Sequence, residues 1–356
     1  DDDGLVRAVA PGEAVITAKY RSHISEFKVM VKPRAENQPL SFINDVLPIL
    51  SKAGCNAGSC HAKPDGQNGF KLSVFTYDPK SDWREIVEDA RGRRVFPAFP
   101  SESLIVKKPT LAIPHEGGQR IKPGSESERV LLQWIRDGMV YQREKEPMLE
   151  RVSVEPAKRV YRRGQSQRLI VQAHYSDGSA RDVTGLADYV SNDGEVATVD
   201  DHGYITVGEV NGEGTVLTRY MGQVAITRIT VPAENRLPAE QYAALPENNF
   251  IDTLAFAQFQ RLGLFPSDPC TDAEILRRAS LDVIGRLPTT QEAKAFLDDK
   301  SPDKRNKLID RLLTDPAYPD QWANKWADLV RPNPDRAGLK SVYILDQWLR
   351  AAFRKN

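Results

Sequence analysis

The sequence predicts a multidomain chain: a mostly α-helical segment, an all-β sandwich, and an α-helical C-terminal region. Three observations predict it. Residues 150–233 alternate apolar and polar side chains in short runs broken by Gly and Asp, the pattern of a β-sandwich. Residues beyond 245 space their apolar side chains by three and four, the pattern of amphipathic helices. Between residues 40 and 145 two such helical runs flank the motif AGCNAGSCHA, which holds two of the three cysteines of the chain.

The 356 residues suffice for several domains, and 40% hydrophobic with 28% charged residues describes globular material. Lys plus Arg and Asp plus Glu both number 49, so no basic excess points to a nucleic-acid binder. No run of 18 apolar residues predicts a membrane span. The opening DDDGLVRAV reads as the start of an excised fragment. Three cysteines cannot form an even disulfide framework, so Cys55 and Cys60 read as site chemistry and Cys270 as a free thiol.

The first element, residues 1–33, repeats a later one. Gly12, Glu13 and Tyr20 match Gly212, Glu213 and Tyr220, and each copy runs on into alternating strands, FKVMVKP and AITRITVPA. The later copy extends upstream to about residue 150, with strands expected at Val152–Val154, Leu169–Tyr175 and Ala180–Val183. The earlier copy holds only the final strands of such a unit. The YSDGS turn, the Ser191-to-Thr206 run and the stretch GEGTV at 212–216 resemble bacterial Ig-like domains of group 2, which often serve as spacers or adhesion modules.

In the segment 40–145, FINDVLPILSKAG and SERVLLQWIRDG predict helices, the second capped by Ser125 or Ser127 and ended by Gly138. The first runs straight into Cys55, Cys60 and His61. C-x-x-C-H is the signature of covalent c-type haem attachment, in which two thioethers hold the porphyrin and the adjacent histidine takes the iron. Here the spacing is C-x4-C-H, and the small residues Asn56, Ala57, Gly58 and Ser59 allow the loop to bulge. A disulfide, a zinc site completed by a distant histidine, and two inert cysteines remain open from the residues alone. Candidates for the sixth iron ligand are His115, in the Gly- and Pro-rich IPHEGGQRIKPG, then Met139 and Met148. Arg93, Arg94 and Arg120 are candidates for the haem propionates, and Trp134 for core or pocket lining.

These stretches together, with GFKLSVFTYDP, GRRVFPAFPSESLIVKKPT, PHEGGQRI and LLQWIRDGM, resemble the planctomycete-type cytochrome c domain. FIDTLAFAQFQRLGL through QWANKWADLVR resembles the first half of the paired helical region of unknown function that accompanies it. The resemblance implies a cytochrome c-like domain at 40–145, an Ig-like sandwich at 150–233 and a helical domain at 245–356. It implies one covalent haem c on Cys55 and Cys60, with His61 and His115 as axial ligands. It implies a periplasmic or otherwise exported electron-transfer protein with an unidentified redox partner, in a context of extracellular polysaccharide. The alternatives are an adhesion or scaffold protein built on Ig-like repeats, and a haem oxidoreductase with an open iron site.

In the helical region Thr271 and Thr289 or Thr290 are expected caps. Arg277, Arg278, Asp282 and Arg286 are expected to pair and fix a helix crossing. Trp322, Trp326 and Trp348 are expected in the core.

Overall fold

The computed structural model describes residues 6, 9–31, 39–234 and 237–355. The expected unit 1–33 therefore falls partly outside them, as does Asn356. The chain divides into two compact units, Asp1–Phe265 and Pro266–Asn356.

The first unit opens with a hairpin of β1 (Gly12–Tyr20) and β2 (His23–Val31). Its register runs from Gly12 opposite Val31 to Tyr20 opposite His23. The last hairpin of the sandwich, β11 (Gly212–Tyr220) and β12 (Gln223–Val231), pairs Gly212 with Val231 and Tyr220 with Gln223. The repeat seen in sequence is thus a repeat of register. The burial differs. Val216, Ile229 and Val231 are buried, whereas Ile16, Val29 and Val31 are only partly covered, since among the described residues no second sheet closes over β1–β2.

Next comes a small helical body. Ser41 starts it, its hydroxyl accepting from the Asn44 amide, and a π-turn Phe42–Val46 leads into α1 (Leu47–Lys52). Then follow α2 (Pro79–Val87), the single turn α3 (Leu104–Lys107) and α4 (Glu126–Arg136), capped by the Ser125 hydroxyl at the Glu128 amide. Phe42, Val46, Leu47, Leu50, Ile86, Leu131, Trp134 and Ile135 form its core. These are the residues that spacing of three and four places on one face of each helix. The two ends of this body meet. The Phe42 amide bonds the Val140 carbonyl at 2.8 Å, and Arg143 bridges Asp45 at 3.0 Å and Glu146 at 2.5 Å.

The sandwich has three sheets around one core. Strands β3 (Leu149–Glu155), β6 (Ile170–Tyr175) and β7 (Ala180–Asp182) form the first. β4 (Lys158–Val160), β12, β11 and β8 (Asp188–Ser191) form the second, in that order. β5 (Ser166–Arg168), β10 (Tyr204–Val207) and β9 (Ala197–Val199) form the third. Along β11 every second residue from Gly214 to Tyr220 is buried, the period-two pattern of a half-buried strand. Aspartates shape the turns: Asp200 Oδ1 accepts from the His202 and Tyr204 amides, and Asp177 Oδ1 from that of Ser179. Two short helices follow, α5 (Ala239–Ala243) and α6 (Phe250–Leu262). Among the described residues no helix is long and apolar enough to cross a membrane.

The second unit is helical: α7 (Asp272–Ile284), α8 (Thr290–Asp298), α9 (Lys304–Leu313), α10 (Ala317–Val330), α11 (Pro334–Ala337) and α12 (Leu339–Lys355). Capping boxes of Thr271 with Glu274 and Thr289 with Glu292 start α7 and α8. Two expectations are corrected here. Arg286 pairs with Glu292 at 3.0 Å and Asp315 at 3.1 Å rather than with Asp282, because Gly285 turns the chain away from α7 in a left-handed conformation, φ 70°. Trp326 and Trp348 are 47% and 63% exposed rather than core, since α10 and α12 pack on each other with an apolar face left open.

Candidate functional site

The site begins where α1 ends. The Cys55 amide bonds the Leu50 carbonyl and the Gly54 amide that of Ser51, while Gly54 adopts φ 73°. This is a Schellman ending, which satisfies the last carbonyls and turns the chain out of the helix at Cys55. The four residues between the cysteines close on themselves. The Ala57 amide reaches the Gly54 carbonyl, the Cys60 amide that of Ala57, and the His61 amide returns to the Cys55 carbonyl at 3.1 Å. The longer spacing is thus taken up as a compact bulge, and Cys55, Cys60 and His61 all line one cavity of about 540 Å³. Both cysteines are free thiols. Burial first, then the neighbouring Cys60, pushes the Cys55 thiol up to about 12, against the pull of Arg120.

His61 is held by the segment after it. Its Nδ1 lies 3.2 Å from the Phe70 carbonyl oxygen, its ring 4.5 Å from that of Phe70, and its own carbonyl accepts from the Leu72 amide. A carbonyl only accepts, so Nδ1 carries the hydrogen and Nε2 keeps its lone pair. Burial lowers the His61 pKa, outweighing the Phe70 bond; His115, Arg94 and Lys108 lower it further.

His115 enters the same cavity from the far side of the sequence. Its Nδ1 lies 2.8 Å from the Gly118 carbonyl oxygen, and the Gly118 amide bonds back to the His115 carbonyl. Its Nδ1 too carries a hydrogen, since the carbonyl only accepts. The two imidazoles stand with ring centres 6.4 Å apart and planes within 11° of parallel. Sequence separation of more than fifty residues is closed by the fold.

The remaining candidates separate. Arg120 lines the cavity and donates from Nε to the Gly117 carbonyl at 2.7 Å. Arg94 lines it as well, but its guanidinium is committed to the carbonyls of Glu85 and Gly69 and to Asp89 at 3.0 Å, and it lies over the Phe70 ring. It acts as the buried strut of the His61 loop. Arg93 lines the cavity with no side-chain partner among the described residues. Lys108 does the same, and sequence reasoning missed it; only its place in the GRRVFPAFPSESLIVKKPT stretch marked it.

Trp134 is corrected: it lies wholly in the core, Nε1 bonded to the Val140 carbonyl, and does not line the cavity, because α4 turns that face toward Phe42. Met139 and Met148 do not line it either. Met139 packs on the helical core and Met148 is exposed. Among the described residues no group of three or more His, Cys, Asp and Glu side chains is arranged for a metal ion, so the zinc alternative lacks its ligand set there.

Comparison with known proteins finds two matches to family models. Residues 149–227 match the bacterial Ig-like domain (group 2), and residues 250–356 match a family described as a protein of unknown function (DUF1549). An S-layer-related protein of Niallia circulans is 46% identical over 69 residues, 19% of this chain and 4% of that protein. The chain thus spans a small fraction of the relative it matches. Among solved structures, the S-layer protein rSbsC(31-844) shares 22% identity over 26% of this chain and 14% of that one, with a TM-score of 0.22. Domains 5–6 of SbsC share 20% identity over 26% and 48%, with a TM-score of 0.23. The protein is therefore a multidomain chain that carries a group 2 bacterial Ig-like domain followed by a DUF1549 region.

Proposed function

We propose that the helical body at 40–145 is a cytochrome c-like module that holds one covalent haem c for electron transfer, in a protein working outside the cytoplasm. One observation carries the reading: two imidazoles, each anchored through Nδ1 to a backbone carbonyl, stand with ring centres 6.4 Å apart in the lining of a cavity that also receives Cys55 and Cys60. Two metal–nitrogen bonds of about 2 Å, plus about 1.1 Å from each nitrogen to its ring centre, would span about 6.2 Å, against 6.4 Å between these rings. The cavity volume falls within the range of cofactor sites, about 300–1,000 Å³.

In this reading His61 and His115 would hold the iron, and Cys55 and Cys60 would tether the porphyrin. Arg93 and Lys108, the two uncommitted cations of the lining, meet its two propionates, with Arg120 beside them. The group, when bound, supplies one-electron exchange at iron. The protein would supply two imidazole nitrogens, a ligand pair that would give a lower potential than a His/Met pair.

The test is an absorption spectrum of protein made with cytochrome c maturation, beside that of His115→Met. A low-spin c-type spectrum that shifts in the variant is expected. A spectrum with no Soret band overturns the reading, and an unchanged low-spin spectrum removes His115 from the iron.

A second reading is favoured by the Ig-like match and by the S-layer-related relative: a cell-surface scaffold in which the sandwich does the binding. Retention on purified cell-wall glycan, undiminished by replacing Cys55 and Cys60 with Ala, would support it.

A further inference from the structure

We infer that Gly117 is the positioning residue for the His115 imidazole, and that the sequence His-x-Gly-Gly is a preformed cradle that sets this ring before any haem arrives. The inference rests on the haem reading for its purpose, and on the loop alone for its geometry.

The two glycines are there for different reasons. Gly118 adopts φ 70°, where other residues are strained, and this turns its carbonyl onto His115 Nδ1 and its amide onto the His115 carbonyl. Gly117 lies outside the left-handed region, so its backbone suits any residue. What forbids a side chain there is the ring: an added Cβ would stand 2.9 Å from His115 Cε1 and 3.3 Å from Nε2, closer than carbon atoms pack. The imidazole therefore lies directly against the Gly117 backbone. The Gly117 carbonyl is itself fixed by Arg120 Nε at 2.7 Å, and the Arg120 and Ile121 amides both bond the Pro109 carbonyl. The neighbouring Glu116 carboxylate accepts from Gln67 Nε2 at 2.8 Å, which ties this loop to the one that holds His61.

The test compares Gly117→Ala with Gly124→Ala in the full chain. Gly124, at φ 75° with open space around its Cβ position, reports backbone strain without touching the ring. In haem-free protein, nitrogen-resolved NMR is expected to show the His115 Nδ1–H tautomer in wild type and Gly124→Ala, and its loss in Gly117→Ala. In haem-loaded protein, Gly117→Ala is expected to bind carbon monoxide in the reduced state about two- to tenfold more tightly, the range that one lost net hydrogen bond allows. An unaltered His115 tautomer in haem-free Gly117→Ala overturns the inference whatever the haem result. A wild-type chain that takes up no haem, while Gly117→Ala still displaces the ring, refutes the haem reading and leaves the cradle standing.

Discussion

At Cys55 burial decides what the thiol does. Raised to about 12, it is almost wholly protonated at neutral pH, and only the thiolate is nucleophilic. In folded, haem-free protein at pH 8, iodoacetamide is expected to label Cys55 more than about a hundredfold slower than an unperturbed thiol; a mass-spectrometric time course on a digest checks this, and labelling at the free-thiol rate would refute it. His61 and His115 show another use of an environment: a backbone carbonyl engages Nδ1 of each ring, and both rings line the cavity. Cys55, Cys60 and His61 stand in one motif and His115 in a Gly- and Pro-rich loop, so the sequence marks all four as candidates. Not all their neighbours are marked. Lys108 and Gly117 carry no signature, since what makes them matter is a cavity wall and a ring brought up by the fold. Arg94 was read as a propionate partner; in the fold it lines the cavity while also bonding the Glu85 and Gly69 carbonyls and Asp89.

At the scale of the element, local rules account for most of what is seen. Ser125, Thr271 and Thr289 cap the helices that spacing assigns, and the capping boxes follow from the glutamates three residues on. Glu292 does two tasks, capping α8 and pairing with Arg286. The Arg286 hydrogen bonds, followed by the Thr289 amide, hold its carboxyl down at about 2. Its folded pKa lies below the unfolded value of about 4.3, so it stabilises at neutral pH and that stability fades as pH falls from about 4 toward 2. Glu292→Gln is expected to lower the melting temperature of the chain at pH 7 and to approach wild type near pH 2; a deficit constant across that range would contradict the assignment. What periodicity did not supply is the partner. It places Trp326 and Trp348 on an apolar stripe without saying whether anything covers it, and it places Arg286 near a turn without choosing between Asp282 and Glu292. Such choices are tertiary and depend on helices distant in sequence.

At the scale of the first unit, the sandwich does more than separate its neighbours. Lys52, in the last turn of α1 and three residues before Cys55, sends its ammonium to the carbonyls of Ala187 at 2.7 Å and Asp201 at 2.6 Å. Burial lowers its pKa although Asp188, Asp201 and Asp200 favour the charge. Arg219 of β11 lies 3.9 Å over the Phe75 ring, and the Phe75 amide reaches the Asn56 carbonyl inside the cysteine loop. Leu186 and Met221 pack against both cores. Lys52→Met is expected to cost about 1–2 kcal/mol and to split one unfolding transition of the helical body and sandwich into two by calorimetry; a single unshifted transition would show that the contact is idle. The joint has a mechanical consequence. A body pinned at Lys52, at Phe75 and through a shared apolar seam cannot swivel, so whatever grips the sandwich also sets the compass bearing of the cavity mouth, and the protein would face its partner like a fixed lamp rather than a swinging one.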